Sequence, residues 1–143
     1  MQLVHGTTVE IAGKGVLIRG ASGSGKSDLA LRLIDGGAVL VADDQTELSA
    51  KDDRLIASAP ANIAGMIEIR GLGIVRLPHR AWAPLALVVE LVAGAEVERL
   101  PEQNAEIFLG IALPVIRLAA FEASAAAKVR LATLSPTRDI MRS

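Results

Sequence analysis

The sequence predicts an α/β fold with a mixed sheet built around one βαβ unit. Three observations carry that prediction. A β-type run ends in a glycine-rich loop at residue 20, and a helix-period pattern starts directly after the loop. A fully apolar run follows that helix. The middle of the chain then holds short β-type runs, spaced too closely for crossover helices.

The elements follow in order. Residues 3–11 alternate imperfectly and suit one strand, and residues 15–19 (GVLIR) suit a second. Residues 27–34 are apolar at 29, 30, 31, 33 and 34, the spacing of a helix packed on a sheet. Gly36-Gly37 stops that helix. Residues 38–42 lack alternation, as a strand buried on both faces does, and end abruptly at Asp43-Asp44. Strand, loop, helix and strand make a βαβ unit, which implies a parallel pair at its heart. Short runs at 47–49, 54–57, 66–69 and 74–77 predict antiparallel pairing. Residues 84–92 read as a strong core strand, and 107–118 as one or two strands interrupted at Pro114. Residues 121–134 are alanine-rich and predict a helix ended by Ser135-Pro136. No repeat or linker-like tract divides the 143 residues, so one domain over 1–143 is expected.

Composition narrows the function. The chain is 51% hydrophobic and 22% charged, which excludes a disordered chain. It has 24 alanines but only Trp82, Phe108 and Phe121 as aromatics. So few aromatics make base stacking on single-stranded nucleic acid a poor prospect. Fifteen basic and sixteen acidic residues give a net charge of −1, with no basic excess for nucleic acid or an anionic membrane. The absence of cysteine removes disulfides, thiolate metal sites and cysteine nucleophiles, and fits a reducing, cytoplasmic setting. The N-terminus has no basic segment followed by a long apolar stretch, so no signal peptide is expected. No apolar run approaches the roughly 20 residues of a membrane span. The mean hydropathy of +0.42 fits alanine-rich burial together with apolar surface hidden between subunits.

The chemistry is carried by Gly20-Ala21-Ser22-Gly23-Ser24-Gly25-Lys26-Ser27, which matches G-x-x-x-x-G-K-[ST] in every fixed position. It lies between a strand and a helix, the setting this P-loop motif requires. Its glycines let successive N–H groups turn inward toward phosphate oxygens, and the following helix adds its positive end. Lys26 can reach the β- and γ-phosphates of ATP, and the Ser27 hydroxyl can ligate Mg²⁺. Asp43 and Asp44 stand at the carboxyl end of the next strand, where open α/β sheets bind ligands. One aspartate can serve Mg²⁺ as a Walker B acid while the other takes a proton from an attacking hydroxyl. Glu68-Ile69-Arg70-Gly71-Leu72-Gly73-Ile74 reads on composition as a strand and a glycine turn, with Glu68 and Arg70 on one face. His5, His79, Arg99 and the pair Asp52-Asp53 read, taken singly, as ordinary surface or turn residues.

Taken together, these pieces resemble the HPr kinase/phosphorylases, bacterial enzymes that act on a serine of the phosphocarrier protein HPr of the sugar phosphotransferase system. The resemblance rests on His5-Gly6, the P-loop, the strand end Leu40-Val41-Ala42-Asp43-Asp44 and the run from Glu68 to Ile74, in family order and near family spacing. It implies a fold similar to that of phosphoenolpyruvate carboxykinase. It also implies roles. His5 matches the active-site histidine, Lys26 the P-loop lysine, Ser27 and Glu68 magnesium ligands, and Asp44 the catalytic aspartate with Asp43 beside it. Arg99, in Glu98-Arg99-Leu100, resembles the arginine of an Asp-Arg-Leu motif. Arg70, Gly71, Leu72 and Gly73 would help hold the HPr-type partner. Relatives known as hexamers make a homo-oligomer the expectation.

Two departures from the family pattern matter. Typical members carry an N-terminal domain of their own, so this chain looks like the short forms similar to the catalytic domain. Near the C-terminus, the segment Pro-Val-Arg-Pro-Gly-Arg, tied to the phosphorylase reaction, is reduced here to Pro114-Val115 and Arg117. A kinase without a supported reverse reaction is therefore expected. A nucleotide-binding regulator, or a general NTPase or small-molecule kinase, is the alternative.

Overall fold

The computed structural model describes residues 1–135, so Pro136 of the expected helix stop lies outside the described residues. The stretch 3–11, expected as one strand, forms two, β1 (Gln2–His5) and β2 (Thr7–Ile11). Gly6 is the break. A Cβ there would lie 2.8 Å from Leu17 Cδ1 and 2.9 Å from the Ile18 carbonyl oxygen, so only glycine lets the chain pass. β2 turns into β3 (Lys14–Arg19) through Ala12-Gly13. Both turn residues have positive φ, 50° and 84°, the geometry that matches a two-residue hairpin to strand twist.

The P-loop then leads into α1 (Lys26–Asp35), which buries Leu29, Ala30 and Leu33 and carries an Arg32–Asp28 pair one turn apart. The Gly36 amide bonds back to the Arg32 and Leu33 carbonyls, and Gly37 at φ 111° ends the helix. β4 (Val39–Ala42) follows, buried as its apolar run required.

The expected parallel pair inside the βαβ unit does not form. β4 pairs antiparallel with β2, and β2 pairs antiparallel with β3, so β2 lies between the two strands that α1 connects. The cause is local. The β2–β3 hairpin closes over a two-residue turn at little entropic cost and occupies that edge of β3. The hydrogen-bonded parallel partner of β3 is instead β9 (Ala83–Leu91), which in turn pairs parallel with β11 (Ile111–Leu118). The sheet is mixed, as predicted, with its parallel part at β3–β9–β11.

The short central runs pair antiparallel as expected. β5 (Gln45–Lys51) and β6 (Arg54–Ser58) form a hairpin over Asp52-Asp53, and β7 (Met66–Ile69) and β8 (Gly73–Arg76) form a separate two-stranded sheet. The C-terminal interruption falls at Leu109-Gly110, which turns β10 (Asn104–Phe108) into β11, and not at Pro114. Pro114 sits inside β11 opposite Ala105, and pairing with β9 begins only at Val115, so no ladder toward β9 needs the missing amide. The last helix, α2 (Ala125–Leu134), starts four residues later than expected, because residues 120–124 form a turn against the P-loop.

Alternation along β3 divides the core. Val16 and Ile18 face α1 and α2 with Val9, Leu40 and Val89, while Leu17 faces the opposite side with Leu48, Leu55, Val88 and Phe108. Small residues let α2 lie against α1, and the Arg130 guanidinium donates to the Arg32 and Leu33 carbonyls at the end of α1.

Candidate active site

The site is built where β3 and β4 end. After Arg19 the chain enters the loop from Gly20 to Gly25, with Gly23 at φ 80° and Gly25 at φ 100°. A Cβ on Gly25 would lie 2.7 Å from Ala120 Cβ and 2.9 Å from Phe121 Cζ. The position therefore needs glycine for both space and conformation. Gly25 supplies no side-chain cap, so the first amides of α1 stay open to a ligand. The Lys26 ammonium closes over its own loop, donating to the carbonyls of Gly20 at 2.9 Å and Ala21 at 3.2 Å. The Ser24 hydroxyl is buried with no partner. An open helix end, a lysine satisfied only by its own loop and an orphaned hydroxyl fit the binding of a polyphosphate.

The two aspartates have different surroundings. Asp43 is only 7% exposed. Its Oδ1 accepts from the Thr7 hydroxyl and the Ser27 hydroxyl, each at 2.9 Å, and its Oδ2 accepts from the Glu68 amide at 2.9 Å. That carboxylate ties β2, α1 and β7 to the end of β4. Asp44 has φ 66°, which an aspartate tolerates in a turn, and its side chain is 64% exposed. The His5 Nε2 lies 3.6 Å from Asp44 Oδ1. The Gly6 amide donates to the Asp44 carbonyl at 2.8 Å, so the break between β1 and β2 also positions this pair.

Glu68 is brought to Asp43 by its backbone, while its side chain is exposed at the surface of β7. Beyond it, Arg70, Gly71, Leu72 and Gly73 form the exposed tip of the β7–β8 hairpin, with Gly71 at φ 93° and Gly73 at φ 101°. Leu72 is 77% exposed at that tip. Arg99 lies in the exposed loop between β9 and β10, and among the described residues it pairs with none of the site groups. Lys26, Ser27, Asp43, Asp44, His5 and Glu68 are thus brought together, and Arg99 is not. Among the described residues no three His, Asp or Glu side chains form a metal cage. The donors that are present near the P-loop, the Ser27 hydroxyl and the Asp43 carboxylate, are hard oxygen ligands of the kind Mg²⁺ takes one or two at a time beside phosphate and water.

Three further features were not legible in the sequence. Thr7 joins the two aspartates. Arg19, directly before the P-loop, is held by Glu106 at 2.6 and 2.8 Å and by Glu90 at 2.9 Å, over the Phe108 ring. The hydrogen bonds from Arg19 push the Glu106 carboxyl below its ordinary range, and the bond to Glu106 raises the Arg19 guanidinium against the opposing effect of burial. The third is a cavity of about 570 Å³ beside Ala21 and Ser24, walled by residues 91–94 at the end of β9 and 119–122 after β11. It opens at the carboxyl ends of the parallel strands, where nucleotides bind in α/β sheets.

Comparison with known proteins bears on the family and the fold. A family model described as the HPr Serine kinase C-terminal domain matches residues 1–130. The HPr kinase/phosphorylase of Streptococcus equi subsp. zooepidemicus is 39% identical over 127 residues, covering 80% of this chain and 41% of that protein. The HPr kinase/phosphorylase of Geobacillus thermodenitrificans is 46% identical over 99 residues, covering 62% of this chain and 31% of that protein. The chain therefore spans less than half the length of these relatives. The solved structure of the Hpr(Ser) kinase/phosphatase from Coxiella burnetii superposes with a TM-score of 0.82 at 31% identity, over 91% of this chain and 92% of that one. The fold is accordingly the phosphoenolpyruvate carboxykinase-like fold that the resemblance implied. With residues 1–130 matched to one domain model and a solved relative following 91% of its length, this chain belongs to the HPr serine kinase C-terminal domain family.

Proposed function

We propose that this chain is a kinase catalytic domain that transfers the γ-phosphoryl group of ATP to a serine of an HPr-type phosphocarrier protein. One observation carries the proposal: the Asp43 carboxylate gathers the Ser27 hydroxyl and the Glu68 strand at 2.9 Å, with the solvent-facing Asp44 next in sequence. A protein that only binds nucleotide has no need of a second carboxylate held at that point.

In this reading the loop amides and Lys26 hold the β- and γ-phosphates, and Lys26 exchanges its carbonyl partners for them. The nucleoside enters the cavity beside Ser24. Ser27 and Glu68 would hold Mg²⁺ with Asp43 behind them, and the ion supplies neutralisation of phosphate charge. Asp44, with His5 beside it, accepts the proton of the serine hydroxyl. The serine oxygen bonds to the γ-phosphorus as the bond to the β-phosphate oxygen breaks, and ADP leaves. Such a transition state is loose, so positioning and charge supply most of the acceleration. Arg99 is assigned to that charge on its resemblance alone.

The hairpin tip at Arg70 to Gly73, with exposed Leu72 and Ile74, is our candidate surface for the carrier. We further propose that residues 1–143 act as one catalytic unit, that copies associate, and that the protein works in the cytoplasm. Among the described residues, no helix is long and apolar enough to cross a membrane. Incubation with labelled ATP, Mg²⁺ and an HPr-type carrier tests the reading. Phosphoserine on the carrier by mass spectrometry is the expected result. Binding without transfer would establish the regulator instead, and phosphate release independent of carrier would establish an NTPase.

A further inference from the structure

We propose that Thr7 is a positioning residue for phosphoryl transfer, setting both aspartates through one hydroxyl. The inference rests on the kinase reading above. Thr7 is completely buried, and its Oγ1 donates to Asp43 Oδ1 at 2.9 Å and accepts from the Asp44 amide at 3.2 Å. A hydroxyl has one proton to donate, and here it goes to the carboxylate that also holds Ser27 and Glu68. Its lone pair restrains the backbone of the neighbouring aspartate. Together with the Gly6 amide on the Asp44 carbonyl, it grips Asp44 on both sides of a left-handed turn.

Packing gives no reason for the hydroxyl. The site lies in a buried strand, where valine has the same shape and greater hydrophobicity, and a buried hydroxyl is unfavourable unless bonded. Its neighbour Thr8 is satisfied separately, through Thr46 at 2.9 Å. Without the Thr7 hydroxyl, Asp43 gains freedom to turn about its remaining bonds, and the Asp44 amide loses its acceptor. Of the P-loop, only Ser27 touches Asp43; Lys26 and the loop from Gly20 to Gly25 do not, so the loss falls mainly on the transfer step and not on the phosphate cradle.

The test uses the full chain with an HPr-type carrier and ATP, comparing Thr7→Val and Thr7→Ser. A misplacement of reacting groups on the order of 1 Å costs up to about 100-fold, so Thr7→Val is expected to lower kcat by about 10- to 100-fold. ATP affinity, read by direct titration, should change by less than about 3-fold, because uniform binding is not what is lost. Thr7→Ser keeps the hydroxyl and should restore kcat. Thr133→Val removes another buried hydroxyl, bonded to the Val129 carbonyl within α2. It controls for stability alone and should leave kcat unchanged. A normal kcat in Thr7→Val overturns the inference, as does a Thr7→Ser protein no better than valine. Equal losses of kcat in Thr7→Val and Thr133→Val would show a general folding effect and overturn it too. A wild-type protein that binds ATP yet transfers nothing removes the kinase reading itself, and the inference with it.

Discussion

Asp43 and Asp44 are adjacent and chemically identical, yet the structure predicts opposite consequences for removing their charges. Asp43 accepts three hydrogen bonds at 2.9 Å, two on Oδ1 and one on Oδ2. Asparagine has one acceptor oxygen. Turned toward Thr7 and Ser27, it sets its NH₂ against the Glu68 amide. Turned the other way, it asks both hydroxyls to reverse, although Thr7 is already accepting from the Asp44 amide. A hydrogen bond to a buried charged group is worth about 1.5–3 kcal/mol, and an orphaned buried donor costs about 1–3 kcal/mol. These overlap, so Asp43→Asn should destabilise by about 2–4 kcal/mol. Asp44 presents its side chain to solvent and accepts no side-chain hydrogen bond among the described residues, with only His5 nearby. Asp44→Asn should therefore change stability by no more than about 0.5 kcal/mol. Its cost appears in transfer, at about 100- to 10,000-fold for loss of a general base. Urea denaturation midpoints and carrier phosphorylation rates, measured on both variants, separate the effects. Equal destabilisation by the two substitutions would refute the division. So would an Asp44→Asn protein that phosphorylates at the wild-type rate.

Three other outcomes are expected. Lys26→Ala should weaken ATP binding by about 10- to 100-fold, the loss of one or two charge-assisted bonds, while the melting temperature barely moves because its present partners are loop carbonyls. Titration of nucleotide into the variant checks this, and unweakened binding would end the P-loop reading. Glu106 has its pKa lowered on folding by Arg19, so the unfolded chain binds the proton more readily. Its contribution is present above the unfolded value near 4.5 and fades as pH falls through the lower folded value. It is also modest, since the side chain is 42% exposed. The melting-temperature difference between wild type and Glu106→Gln should accordingly be largest near neutrality and close in acid. Finally, Leu131 and Leu134 of α2 and Phe121 before it stand exposed, so the mass in solution should exceed that of one chain. A strict monomer by light scattering would remove the proposed association.

Local chemistry was readable in this sequence, and distant pairing was not. The P-loop could be read because its glycines, lysine and serine do their work within eight consecutive residues. The α1 stop at Gly36-Gly37 and the tight turn at Asp52-Asp53 were readable for the same reason. The neighbours of β3 were not. Its parallel partner begins at residue 83, and nothing in 15–19 distinguishes a strand bordered by its own hairpin from one bordered by the strand across α1. Pro114 does not interrupt its strand, because a proline argues against a ladder only where its amide is needed, and that depends on which strand lies on which side. Thr7 carries no local signal, because its two partners lie 36 and 37 residues away.

The placement of Asp43 shows how a break in pattern can serve the site. Val9 opposes Leu40 and Glu10 opposes Val39, but Thr8 opposes Ala42, so the β2–β4 register slips by one residue at Val41. Side chains alternate between the faces of a strand, and one extra residue reverses that alternation. Leu40 faces the α1 side with Val9. Regular alternation would return Ala42 to that side and send Asp43 to the other, away from the P-loop. With the slip, Ala42 goes with Thr8, and Asp43 falls level with Thr7 on the α1 side, where Ser27 waits. Residues 38–42 are apolar throughout, so no change of period betrays the extra residue. A strand buried on both faces can absorb that slip without exposing an apolar side chain, and the displaced parity brings the carboxylate to the P-loop serine.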